Sequence, residues 1–172
     1  MRLDDDDFSL FGLPQRFAQD AADIESRWKA LAAKVHPDKF AAEGAAAQRQ
    51  AMQWALRVNE AHQRLRDPQK RAGYLCELRG AALQANENTS MPAAFLMEQM
   101  EWREALDEAR GVDEVEALDE QVLARERGLL AEAGQLLDEK NDPAEAAKRV
   151  RALMFVARFR ADIDKRLEAL GQ

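Results

Sequence analysis

The chain has 172 residues, of which 47% are apolar and 33% charged, a balance typical of one folded domain or of two small ones. No window approaches the roughly 18 apolar residues that a membrane span requires, so we expect no membrane insertion. The first residues, Met1 to Leu3 followed by four aspartates, lack the apolar stretch of a signal peptide. Cys76 is the only cysteine, which excludes an intrachain disulfide and a cysteine-based zinc site. We therefore expect a cytoplasmic protein that needs neither a metal nor a cofactor.

The net charge of −7 is unevenly distributed along the chain. Residues 1–80 carry 13 Lys and Arg against 12 Asp and Glu, a net of +1, whereas residues 81–172 carry 12 against 20, a net of −8. Because nucleic-acid binding normally needs a positive field, we expect no nucleic-acid partner. The four aspartates at positions 4–7 repel one another, which predicts a solvated tail rather than a metal site.

The first half of the chain shows helical spacing of its apolar residues and almost no strand pattern. A short apolar opening over 8–14 ends in helix-breaking residues. Two long helices are then predicted over 20–35 and 44–65, and Pro68 favours the start of a third helix that ends at Gly80. The apolar stripe of the first long helix consists of Ile24, Trp28, Leu31 and Val35.

The second half begins after residues 81–92, a stretch rich in turn-forming side chains. We interpret this stretch as a linker between two domains, 1–80 and 93–172. Three helical patterns follow it, and their short connections imply antiparallel neighbours, hence a three-helix bundle in an all-α protein. The predicted helices of the bundle cover 92–110, 113–139 and 143–170.

The tripeptide His36-Pro37-Asp38 lies between the two long helices of the first half. Pro37 cannot continue a helix, and it disfavours the helical conformation at the residue before it. The turn therefore presents an imidazole and a carboxylate at the tip of a helical hairpin.

Basic residues surround this turn. Arg27 and Lys34 lie together on one edge of the preceding helix, away from its apolar stripe, and Lys39 follows the tripeptide directly. Such a surface suits docking onto an acidic partner with electrostatic steering.

The segment over 28–40, WKALAAKVHPDKF, resembles the signature of the J domain in DnaJ-type co-chaperones. The resemblance implies that His36, Pro37 and Asp38 engage a DnaK-type chaperone ATPase and promote its ATP hydrolysis. Asp38 would then pair with a cationic group of the ATPase, and Arg27 and Lys34 would meet its acidic surface. The chain itself would supply no catalytic group, so we do not expect an enzyme.

Two further segments, FGLP over 11–14 and FLMEQMEWRE over 95–104, extend the resemblance across nearly the whole chain to the HscB family of iron–sulfur cluster co-chaperones. That family implies an N-terminal J domain, a C-terminal three-helix bundle, the ATPase HscA as partner and the scaffold protein IscU as client. Eukaryotic members carry an additional cysteine-bearing zinc module, so this chain matches the bacterial form.

The first helix of the bundle carries two apolar arcs, one of which, with Phe95, Trp102 and Leu106, is the expected core stripe. The second arc is centred roughly 160° away, and it predicts an exposed binding surface because a helix in a three-helix bundle buries one stripe. The alternative interpretation is that these residues widen the core or pack against the first domain. The HscB resemblance implies that this surface binds the scaffold client. It consists of Leu96, Met97 and Met100, flanked by Glu101, Glu104 and Glu108, with Phe155 of the last helix within reach.

Two other functions remain open at this stage. A generic J-domain protein would serve unfolded clients instead of a folded scaffold. A small metal-dependent hydrolase would use His36, Asp38 and His62, although His62 lies close to a core stripe and a structural role is expected for it.

Overall fold

The computed structural model describes residues 1–83 and 92–171, and all its regular elements in those ranges are helices. The all-α prediction is confirmed, whereas most of the predicted linker over 81–92 lies outside the described residues. Within the described ranges, no helix combines the length and the hydropathy that crossing a membrane requires. The elements are α1 (Asp7–Phe11), α2 (Ala21–Lys34), a 3₁₀ helix (Pro37–Glu43), α3 (Ala45–Arg66), α4 (Pro68–Leu78), α5 (Ala93–Glu108), α6 (Val112–Asp138) and α7 (Pro143–Leu170).

The chain divides into two compact units, Met1–Leu75 and Cys76–Gln172. In the first unit, α2 begins where the Asp20 side chain accepts a hydrogen bond from the backbone N–H of Ala22, which satisfies one of the free donors of the first turn. The core of this unit lies between α1, α2 and α3. Its buried apolar side chains include Phe8, Phe11, Ile24, Val35, Val58, Ala61 and Leu65.

The N-terminal aspartates are not a solvated tail throughout, and the prediction is wrong for the last two of them. Asp6 caps α1 by accepting from the backbone N–H of Ser9. Asp7 is fully buried, with Oδ2 2.6 Å from Arg64 Nε and Oδ1 2.8 Å from Arg57 Nη1. Two guanidinium groups of α3 offset the desolvation of this carboxylate, which a pattern of neighbouring charges cannot reveal.

In the second unit, α5, α6 and α7 form the predicted three-helix bundle. Asp142 caps α7 by accepting from the backbone N–H of Glu145, and Pro143 occupies the first helical turn. At the centre, the indole of Trp102 stacks on Phe159 with 5.8 Å between ring centroids. The buried residues of this core are Phe95, Trp102, Leu106, Ala109, Val115, Leu118, Val122, Leu129, Ala152, Leu153, Val156, Phe159 and Ile163.

The direction of each bundle helix follows from the contacts between them. Arg160 of α7 lies 3.2 Å from Glu126 of α6, and Arg149, earlier in α7, lies 3.4 Å from Glu132, later in α6. α6 and α7 are therefore antiparallel, as the short connection between them predicts.

Candidate partner-binding sites

The loop after α2 holds His36 in a defined position. His36 is extended, with φ −61° and ψ 129°, as expected for a residue before proline. Its Nδ1 accepts a hydrogen bond from the backbone N–H of Asp38 at 3.2 Å, so the imidazole caps the 3₁₀ helix that begins at Pro37. The backbone N–H of Lys39 donates to the carbonyl of His36 at 3.0 Å, which closes the turn.

The same turn presents its charged groups to solvent. The Asp38 side chain is 93% exposed, and the imidazole of His36 is also largely exposed. Lys34 and Lys39 are exposed on either side, and within the described residues no carboxylate pairs with either of them. A carboxylate, an imidazole and two ammonium groups therefore lie within six consecutive residues, at the end of α2 and in the turn that follows it.

Arg27 is placed differently from the other predicted docking residues. Its Nε donates to Asp23 at 2.9 Å, and its Nη1 donates to the carbonyls of Phe11 and Gly12 at 2.9 and 3.1 Å. Gly12 ends α1 in the left-handed conformation, with φ 67°, and a Cβ there would lie 3.0 Å from Arg27 Nη1. Arg27 thus joins α2 to the end of α1, a structural role that the helix-wheel position alone does not show.

His62 is a buried structural residue, as expected. Its ring stacks on Trp28 with 4.1 Å between centroids, and its Nε2 lies 2.8 Å from Glu25 Oε1. The hydrogen bond from His62 lowers the pKa of Glu25. His36, by contrast, is exposed in the loop, and the described part of the chain holds no group of three or more His, Cys, Asp or Glu side chains that could bind a metal ion. No geometry in these residues supports the hydrolase alternative.

The second apolar arc of α5 is exposed. Leu96, Met97 and Met100 have 46%, 63% and 71% of their surface accessible, whereas Phe95 and Trp102 of the core stripe are buried. The interpretation that these three residues widen the core is therefore wrong. The flanking carboxylates are also exposed, at Glu101, Glu104 and Glu108. The surface is available, and its role in client binding stays a prediction.

The position of Phe155 relative to this arc follows from the shared direction of α5 and α7. Arg103 Nη2 donates to Asp162 at 2.9 Å, and further along both helices Arg166 Nη2 donates to the carbonyl of Ala109 at 3.2 Å. Two turns before the Arg103–Asp162 pair, the same edges of the two helices carry Leu96 and Phe155.

Beside the predicted Phe155, α7 exposes two residues that were not predicted from the sequence, Met154 and Arg158. Met154 is 40% accessible and Phe155 36%. The Arg158 guanidinium lies over the Phe155 ring, 4.3 Å from its centroid. The i, i+3 spacing of Phe155 and Arg158 was a readable signal, because such residues are neighbours on a helix. We name the whole surface, from the α5 arc to Arg158 and Met154, the outer face of the bundle.

Comparisons with known proteins match both units of the chain. A family model of the DnaJ domain matches residues 7–74, and a model described as the HSCB C-terminal oligomerisation domain matches residues 91–164. The co-chaperone protein HscB homolog of Bordetella pertussis is 50% identical over 160 residues, which cover 92% of this chain and 94% of the relative. The homolog of Burkholderia mallei is 50% identical over 171 residues, which cover 98% and 97%.

A solved structure shows the same architecture. The chaperone HscB from Vibrio cholerae is 34% identical and superposes with a TM-score of 0.83, covering 96% of this chain and 99% of that one. Sequence and structure comparisons therefore agree over both units.

Proposed function

This chain belongs to the HscB family of J-domain co-chaperones, and from that premise we propose that it stimulates the ATPase of an HscA-type chaperone and delivers an IscU-type iron–sulfur scaffold to it. A J-domain co-chaperone acts with an Hsp70-type partner, so the finer assignment concerns which ATPase and which client. We also propose a cytoplasmic location, since the buried free thiol of Cys76 is suited to a reducing compartment.

The observation that carries the ATPase assignment is the geometry of the loop. The hydrogen bond from the Asp38 backbone to His36 and the ring of Pro37 fix the turn before any partner arrives. The exposed Asp38 carboxylate can then bind a cationic group of the ATPase without a further loss of backbone entropy. Because the loop supplies no reacting atom, it acts by binding better to the ATPase conformation that hydrolyses ATP.

The client assignment is supported by the outer face of the bundle. Exposed apolar side chains rimmed by charge are typical of protein-binding surfaces, and Met adapts to irregular contacts. A chain that holds the client on one unit and the ATPase on the other raises the effective concentration of client at the ATPase. Two interfaces of modest affinity therefore suffice for delivery.

The test is ATP turnover by purified HscA, measured with this protein and with or without purified IscU. We expect His36→Gln to lose the stimulation, because glutamine cannot reproduce the ring that caps the 3₁₀ helix, while its affinity for IscU stays unchanged. Gln53→Ala, an exposed change on α3, is the matched control and should behave as the wild type. Stimulation by His36→Gln equal to that of the control would refute the ATPase assignment.

A further inference from the structure

The outer face of the bundle carries one cation without a carboxylate partner. Among the arginines of α7, Arg149 and Arg160 lie against acidic residues of α6. Arg158 is exposed and stacks on Phe155, and in the described residues no Asp or Glu pairs with it. Its guanidinium is therefore available to a carboxylate from outside the chain.

The position of Arg158 divides the outer face by charge. Successive helical residues are rotated by about 100°, so Arg158 lies about 60° and Met154 about 100° around α7 from Phe155, on the side away from the core. On the helix wheel of α5, Leu96 and Met100 lie near the Arg103 edge that contacts α7, and the exposed glutamates lie farther around the helix. The outer face is therefore acidic at one edge, apolar in the centre and basic at the other edge.

Resting on the proposed client function, we propose that Arg158 and Met154 are part of the client-binding surface, and that Arg158 binds a carboxylate of the client beside the apolar contact at Phe155. The partner is then a folded protein whose apolar patch has an acidic residue on one side and basic residues on the other. With opposite charges at the two edges, this partner meets attractive charge pairs in one orientation. In the reversed orientation, like charges would face each other and weaken binding.

The stacking of Arg158 suits this role. A guanidinium lying over an aromatic ring directs its N–H donors outward, in its own plane, and keeps them free for a bidentate bond to a carboxylate. The ring also restricts the long side chain before binding, so less conformational entropy is lost when the client arrives. If Arg158 only shielded the Phe155 ring from water, its charge would have no effect on client affinity.

Affinity of purified IscU for the full chain, measured by calorimetry, separates these two roles. We expect Arg158→Glu to weaken binding by about tenfold or more, and Arg158→Lys, which keeps the charge but not the planar stack, to lose an intermediate amount. Met154→Ala should weaken binding by about threefold, since it removes apolar contact at the edge of the surface. The difference between Arg158→Glu and the wild type should shrink as salt is added.

The matched control is Arg127→Glu, the same charge change at an exposed position of α6. Equal affinities for Arg158→Glu and Arg127→Glu, with wild-type binding intact, would overturn the inference and leave the proposed function standing. Failure of the wild type to bind IscU at all would overturn both. The melting temperatures of the exposed variants serve to show that each has folded.

Discussion

The two proposed binding sites, the loop and the outer face, are built by different means. The loop is a single turn in which one ring, one proline and one capping hydrogen bond position a carboxylate, so its geometry depends on consecutive residues. The outer face is assembled from α5 and α7, and it depends on the register that the Arg103–Asp162 pair and the Trp102–Phe159 stack impose. We therefore expect one substitution to disable the loop, whereas single substitutions on the outer face should weaken binding only in part.

The largest expected effect concerns the unit that supports the loop. Asp7→Asn removes the charge that Arg57 and Arg64 share, and breaking a buried pair of this kind costs about 3 kcal/mol. We expect a lower melting temperature for the first unit and loss of ATPase stimulation at temperatures where IscU binding persists. Asp4→Asn, in the exposed part of the aspartate run, is the control and should leave the melting temperature unchanged. Loss of both activities together would show that the two units do not act separately.

A smaller effect is expected on the outer face. Leu96→Ala combined with Phe155→Ala should weaken IscU binding by about tenfold to a hundredfold, because contacts at the centre of an interface carry most of its binding energy. The melting temperature should change little, since both side chains are exposed. Trp102→Ala in the core is the contrasting control, with an expected loss of about 3–5 kcal/mol in the free energy of unfolding. A drop of similar size in the double variant would mean that Leu96 and Phe155 belong to the core.

The smallest effect concerns the contact between α2 and α3 behind the loop. The pKa of Glu25 is lower in the folded state than its ordinary value of 4.5. Such a carboxylate stabilises the folded state at pH values above 4.5. This contribution is lost as the pH falls through the lower, folded-state pKa. The Glu25–His62 hydrogen bond should therefore stabilise the first unit at neutral pH and fail in acid. Thermal unfolding from about pH 7 down to about pH 3 should show a steeper loss for the wild type than for Glu25→Gln. Parallel curves would show that the charge of Glu25 contributes nothing to stability.

The sequence predicts the helices well, and it predicts less about contacts between distant residues. α2, α4 and α7 begin where predicted because their start signals, such as Asp20 and Pro143, act on the next few residues. The burial of Asp7, the engagement of Arg27 by α1 and the place of Arg158 beside the α5 arc depend on contacts between separate helices. Charge patterning and the helix wheel describe each helix alone, so these features required the structure.

The central claim is that one chain must carry both sites, and a mixing experiment tests it directly. HscA turnover is measured with IscU and with an equimolar mixture of the His36→Gln protein and the Leu96→Ala, Phe155→Ala protein. Each variant keeps the site that the other lacks. We predict that the mixture fails to restore the joint stimulation seen with the wild type, because the client is then held on a chain that cannot engage the ATPase. Stimulation by the mixture equal to that of the wild type would contradict delivery by a single two-site chain.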